Sequence, residues 1–368
     1  MEPFKNIFNP KSLKKFSHQL EHSFGKQFDA KKYHKNVLKT LESLELKDRV
    51  RLMSHELHLS LPASYKKNIQ SLINSLAEVG KENGVTGFMT WPLLQYIEDY
   101  GHDDFNTSFK GMYEMTKRFS AEFAIRPYLN HNDIAVFKQL HLWINDPCEH
   151  IRRLCSEGIR PNLPWGLKVV SINNNLSRNI LFLEKLKDDP SLYVRKSVAN
   201  HLNDISRLDE KLLLKTLTKW SKEKKSKERQ WIIRHASRTL LKQGHPKALL
   251  LHGYHRCDEV RATNMKLSHK LIQEGDFITL SFKLVNKSKQ AHKLLVDYIV
   301  DFPKKDGRFS AKAFRLKDFI IGEDEVVSII KKISFKKVTT RKHYSGRHHI
   351  SLQINGVTGK KLGFELNV

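Results

Sequence analysis

Few groupings of residues in this chain combine the types and the spacing that chemistry requires. The most suggestive, "SHELH" (54–58), sets His55 and His58 three apart, whereas a helix-borne zinc pair needs histidines at i and i+4. "GKENG" (80–84) lacks the Gly-Lys-Ser/Thr of a phosphate loop, and neither a GxSxG elbow nor a dinucleotide fingerprint occurs. Cys148, Cys155 and Cys257 form no CxxC pair and no disulfide framework, which favours a reducing compartment. No metal and no cofactor is expected. What stands out instead is a corner, "RRLCSEGIRPNLPWG" (152–166), which leaves a helix through Gly158, crosses Pro161 and Pro164, and ends on Trp165. An indole held on so stiff a segment attracts a cationic group to its face by about 0.5–2 kcal/mol, and the prolines spare the cost of ordering it. The competing reading is a tryptophan that staples the next segment, "GLKVVSI", to its neighbour. Trp91, Trp143, Trp220 and Trp231 lie within helical patterns and are expected in the core.

The elements that must hold this corner are helical up to about residue 262. "NPKSLKKFSHQLEHSF", "AKKYHKNVLKTLESL", "DRVRLMSHELHLSL" and "ASYKKNIQSLINSLAEV" carry apolar residues at three- and four-residue spacing. Asn9, Asp48 and Ser64 are candidate N-caps, and Gly80 or Gly84 a stop. In the middle, "NDPCEHIRRLCSEGI" and "DDPSLYVRKSVANHL" align with Arg152 on Arg195, 43 residues apart, and "RQWIIRHASRTLLKQG" puts Arg234 in the same place 39 further on. That period is the period of HEAT-like repeats, which stack because no single helix pair buries its apolar face. The recurring Arg falls off the Val194, Val198, Leu202 and Ile205 stripe. It reads equally as an Asp–Arg ladder between repeats or as a row of phosphate contacts.

From about residue 265 the period shortens. "FITLSFKLVN", "HKLLVDYIVDFP", "AKAFRLKDFII", "EVVSIIKKISF", "RHHISLQING" and "KLGFELNV" read as strands, and six or seven of them in about 100 residues suggest a β-sandwich. Tyr344, just ahead of a strand, is placed like the tyrosine of an immunoglobulin corner. The sequence therefore predicts a mainly α chain: a HEAT-like helical-repeat solenoid over 1–262, followed by an immunoglobulin-like β-sandwich over 265–368. Of 368 residues 65 are Lys or Arg and 39 are Asp or Glu, a net charge of +26 that favours a polyanionic partner. The segment 266–368 shares the excess, with 21 Lys/Arg against 10 Asp/Glu. No run of about 18 apolar residues and no leader-like segment is present, so a soluble cytoplasmic protein without a membrane partner is expected.

Four linked stretches carry a more specific signal: "SAEFAIRPYL" (120–129), "RRLCSEGIRPNLPWG" (152–166), "VRKSVANHLNDIS" (194–206) and "IIRHASRTLLKQGHP" (232–246). In this order and spacing they resemble the AlkC-type DNA alkylation repair glycosylases, relatives of the AlkD type. The resemblance covers nearly the whole chain and is strongest between about 85 and 250. It implies a monofunctional glycosylase that hydrolyses the N-glycosidic bond of cationic N3-methylated bases, chiefly 3-methyladenine and also 3-methylcytosine. The implied partner is double-stranded alkylated DNA, met by a monomer whose C-terminal domain helps hold it. The resemblance maps the catalytic residues onto Glu122, Trp165 and Asp204. Cys155 and Ile159 depart from it, where smaller or more polar residues are expected beside the site.

Elementary chemistry is consistent with that mapping. A base methylated on a ring nitrogen already carries positive charge, so the enzyme must stabilise an oxocarbenium-like sugar and supply water, which carboxylates do. Read from the residues alone, Glu122 and Asp204 are equally well solvated acids on helices or partners of Arg126 or Arg207. Arg153, Arg160 and Arg195, then Lys196 and Arg234, are expected to meet the DNA backbone. A non-catalytic HEAT-repeat module that binds nucleic acid would use the same basic face, and a protein–protein scaffold would explain the repeats but not the charge.

Overall fold

Local chemistry starts the first helix where the spacing predicts. Asn9 Oδ1 accepts the Ser12 N–H and Ser12 Oγ accepts the Asn9 N–H, both at 3.0 Å, a capping box on helix Pro10–Phe24. Of the other two, Ser64 takes the expected N-cap position and Asp48 does not. Asp48 lies inside the first turn of helix Leu46–Ser60, and Ser64 precedes helix Tyr65–Asn74 without a side-chain bond. That helix stops at Ser75, ahead of Gly80 and Gly84. The structure, a computed structural model, describes residues 2–61, 63–223, 226–339 and 341–368. The chain divides into two compact units, Met1–Leu212 with Ser226–Ile232, and Leu213–Lys225 with Ile233–Val368.

In the first unit the repeat is visible as matched chemistry. Helices Glu149–Glu157 and Leu192–Ile205 pack together through stripes that include Ile151, Leu154 and Cys155 on one and Val194, Val198 and Leu202 on the other. Ahead of each helix an aspartate caps its own loop: Asp146 accepts the Cys148 N–H and Asp189 the Ser191 N–H, both at 2.8 Å. Six residues on, an arginine clasps the same Asp-Pro step. Arg152 Nη1 donates to the Asp146 and Pro147 carbonyls, and Arg195 Nη1 to those of Asp189 and Pro190. Arg152 also reaches forward to the Asp189 carboxylate at 2.6 and 3.0 Å. The ladder reading of the recurring arginine is the one the structure builds at this rung.

The second unit begins earlier than the 262–265 boundary expected from the change of period. Its helices Arg238–Lys242 and Pro246–Leu251 sit against its strands. Gly244 and Gly356, both at positive φ, meet backbone to backbone, and Lys293 Nζ donates to the His252 carbonyl at 3.0 Å. Nine strands follow: β1 (Val260–Leu267), β2 (Leu271–Gln273), β3 (Phe277–Asn286), β4 (His292–Pro303), β5 (Phe309–Ile321), β6 (Val326–Ser334), β7 (Gly346–Ile354), β8 (Val357–Thr358) and β9 (Leu362–Asn367) among the described residues. They form two sheets, β1-β3-β6 and β2-β9-β7-β4-β5, with β8 added to β7. Alternation in β3 turns Ile278, Leu280, Phe282 and Leu284 inward against Leu294, Val296 and Val300 of β4 and Ile350, Leu352 and Phe364 of β7 and β9. Tyr344 is half-buried beneath Lys342 and its hydroxyl makes no hydrogen bond among the described residues, so the expected tyrosine corner is not formed. Buried His343 and His348 instead pack edge-on against Phe302 and Phe335.

Among the described residues no helix is long and apolar enough to cross a membrane. A Cβ at residue 356, where φ is +86°, would lie 2.6 Å from the Gly244 carbonyl oxygen. Gly356→Ala is therefore expected to destabilise the protein by roughly 2–3 kcal/mol, read as a lower midpoint in urea.

Candidate active site

The corner that carries Trp165 is fixed at both ends by one side chain. Arg126, in the first turn of helix Ile125–Trp143, is only 1% exposed. Its Nη1 donates to the carbonyls of Gly158 and Arg160 at 2.8 and 3.1 Å, and its Nε to that of Leu167. Burial, together with the neighbouring Arg160 charge, brings the Arg126 guanidinium down to about 10, which leaves it charged at neutral pH. Between those ends the Gly166 N–H closes onto the Leu163 carbonyl at 3.1 Å, with Pro164 second in the turn and Trp165 third. Trp165 has φ +63°, the signature of a type II turn whose third position ordinarily takes glycine. Placing tryptophan there costs about 1–3 kcal/mol, and such strain persists where the surroundings over-determine it.

Packing does not repay that strain. Trp165 is 64% exposed, which removes the reading of this residue as a staple for the following segment. Its carbonyl accepts Lys47 Nζ at 2.9 Å, and the same ammonium lies 5.4 Å from the centroid of the Phe123 ring, next to Glu122. Of the other tryptophans, Trp91, Trp143 and Trp220 are buried as expected and Trp231 is half-buried.

The two candidate acids are joined by alternating charges. Glu122 lies in the link between helices Phe105–Thr116 and Ile125–Trp143, not on a helix face, and its Oε2 accepts Arg153 Nη1 at 2.6 Å. The Arg153 guanidinium rests 4.7 Å over the Tyr193 ring and approaches Glu157 Oε1 at 3.5 Å. That same Glu157 oxygen accepts Arg160 Nη1 at 2.7 Å. Arg160 then grips Asp204 with two bonds, Nε to Oδ2 at 2.8 Å and Nη2 to Oδ1 at 3.2 Å. The sequence Glu122–Arg153–Glu157–Arg160–Asp204 holds three carboxylates and two guanidiniums, a formal charge of −1 inside a strongly basic protein. Asp204, in the last turn of helix Leu192–Ile205, is 4% exposed rather than solvated. Burial pushes its carboxyl above the ordinary value, helped by the Glu157 charge and opposed by Arg160 and the Asn162 amide.

Glu122 and Asp204 are thus linked by the ion chain, and Trp165 stands on the corner that follows Arg160, its carbonyl held by Lys47. The basic residues expected on DNA are placed differently. Arg160 is buried with its donors on Glu157 and Asp204, and Arg153 serves Glu122, Ser120 and Glu157, so both are counter-ions to these acids. Arg195 is half-buried on its own Asp-Pro carbonyls. Arg234 lies in the second unit, where it donates to the Tyr254 hydroxyl and to Asp318, both at 2.6 Å. Lys196 alone of the five is exposed on a helix surface. Cys155 and Ile159 are wholly buried in packing and do not line the site. The sequence reading passed over Glu157, although its spacing to Arg153 (four) and Arg160 (three) marks it as a same-face ion partner.

Residues 261–368 match the family described as "Uncharacterised protein YhaZ, C-terminal Ig-like domain". Over 367 residues the chain is 35% identical to YhaZ of Bacillus subtilis (strain 168), covering 100% of both. It is similar in structure, with a TM-score of 0.93, 35% identity and 100% of each chain covered, to the Pseudomonas fluorescens alkylpurine DNA glycosylase AlkC bound to DNA containing an abasic site analogue.

Two stability measurements test this geometry. Arg160→Met strands two buried carboxylates and is expected to cost about 3–5 kcal/mol in chemical denaturation. Trp165→Gly relieves the left-handed strain and loses little packing, so stability should stay within about 1 kcal/mol of the parent. A larger loss would return the indole to a structural role.

Proposed function

Because the chain belongs to the AlkC-type family of DNA alkylation repair glycosylases, we propose that it hydrolyses the N-glycosidic bond of 3-methyladenine and 3-methylcytosine in double-stranded alkylated DNA. The observation that carries this reading is the ion chain between Glu122 and Asp204. Each terminal carboxylate shares its arginine with Glu157, so the pair keeps unneutralised negative charge where a sugar cation would form. Electrostatic stabilisation of this kind is worth most in a site already organised before the reaction. The leaving base is cationic and departs neutral, so it needs no proton from an acid. Glu122 and Asp204 together offset the oxocarbenium charge, and one of the two accepts the single proton that the attacking water gives up.

Trp165 supplies a polarised aromatic face to the charged base or sugar, held in place by Arg126 and the turn before any ligand arrives. The Lys47 ammonium is engaged by the Trp165 carbonyl, which favours direct hydrolysis over a covalent amine intermediate. Every residue in this scheme comes from the first unit of one chain, in keeping with action as a monomer. Lys196 and the lysine-rich second unit, which is basic in excess of structural need, supply sequence-independent attraction to the DNA backbone.

The test is base release from methylated DNA under single-turnover conditions. Glu122→Gln and Asp204→Asn are each expected to slow it by about 100-fold or more. Full activity in both variants would remove them from the chemistry, and salt-sensitive binding without any free base would mark a non-catalytic binder. The rate should also fall on acidification as Asp204 takes up a proton, at a pH above the ordinary carboxylate range because its folded-state value is raised.

A further inference from the structure

We propose that Ser197 is a positioning residue for the glycosylase site: its hydroxyl occupies one oxygen of Glu157, so that the other alone bridges Arg153 and Arg160. This inference rests on the catalytic reading of Glu122 and Asp204 given above. Ser197 comes from helix Leu192–Ile205 and is 2% exposed. Its Oγ donates to Glu157 Oε2 at 2.6 Å, and both guanidiniums approach Oε1, at 2.7 and 3.5 Å. Ser156 Oγ lies 2.9 Å from Ser197 Oγ. A hydroxyl has one proton, and the carboxylate is the stronger acceptor, so the Ser197 proton goes to Glu157.

Arginine and carboxylate favour a two-point fork. Left with both oxygens open, Glu157 can take that fork from Arg160, which at present makes it with Asp204 instead. The hydroxyl denies Arg160 the second oxygen, and its neutral character adds no further positive charge to the chain. The layer behind it is uncharged as well. His201 Nδ1 stands 3.0 Å from the Ser156 carbonyl, and burial brings the imidazole down to about 3. Ser197 therefore acts on chemistry only through Glu157 and Arg160, and touches no substrate.

The test compares two variants of the same shape, Ser197→Thr and Ser197→Val, in the full chain. Threonine keeps the hydroxyl, and valine replaces it with a methyl group. Release of 3-methyladenine at saturating protein should stay within about three-fold of the parent for Ser197→Thr and fall about ten-fold for Ser197→Val, the worth of one charge-assisted hydrogen bond. Affinity for undamaged duplex DNA should be equal in both. Equal release rates, or a loss confined to affinity, would overturn the proposal. Should the branched side chains prevent folding, Ser197→Ala against the parent is read by the same two outcomes. The Arg160 Nε–H resonance gives a second readout that does not depend on turnover. It should match the parent in Ser197→Thr and move in Ser197→Val. A parent protein that releases no base defeats the functional reading; unchanged Arg160 resonances in Ser197→Val defeat the positioning role.

Discussion

The chain of charges from Glu122 to Asp204 is the constraint on which the rest of this site depends. Burying ionised groups costs several kcal/mol each unless every one is paired and hydrogen-bonded. Here the members satisfy one another across three stretches of sequence. The link before helix Ile125–Trp143 brings Glu122, the helix and corner around 149–166 bring Arg153, Glu157 and Arg160, and helix Leu192–Ile205 brings Asp204 and Ser197. Stacking of adjacent repeats is therefore also assembly of the site. A displaced repeat would strand a charge, and that penalty couples packing in the solenoid to the geometry of the acids.

The corner obeys the same logic with backbone instead of side chains. Pro164 favours the turn, yet the third position of that turn wants glycine, and the chain spends strain to put an exposed indole there. Arg126 makes the strain tenable, because three carbonyls of the corner converge on a guanidinium that has no carboxylate partner among the described residues. Its donors are spent on these carbonyls and occupy neither terminal carboxylate. Carbonyl clamping by Arg126 and carboxylate pairing by Arg153 and Arg160 are complementary uses of the guanidinium.

Net charge is a poor guide to which arginines are free of internal partners. The chain has a large excess of Lys and Arg, but the arginines most prominent in the repeat are committed internally: Arg152 to Asp189, Arg153 to Glu122, Arg160 to Asp204. Guanidinium suits such duty because its planar fork matches carboxylates and carbonyls. Ammonium groups, more strongly hydrated and less directional, are left at the surface, as Lys196 is.

The sequence by itself determined what depends on neighbours close in the chain. Strands β3 and β4 coincide with the alternating stretches 277–286 and 292–303, and the Asp-Pro/Arg register recurs as spaced. Strands β1 and β2 escaped notice because β1 is mostly polar with a break in register after Thr263, and β2 is three residues paired parallel to β9. The four-block resemblance named Glu122, Trp165 and Asp204. Only the tertiary structure decided that Glu122 would meet Arg153, that Arg160 would face Asp204, and that Ser197, on the position where the previous repeat has Leu154, would turn its hydroxyl to Glu157. Those pairings join residues 31 to 44 positions apart. Periodicity tells which side of a helix is buried; which charge it meets there is set by the neighbouring layer, and by the cost of leaving any of them alone.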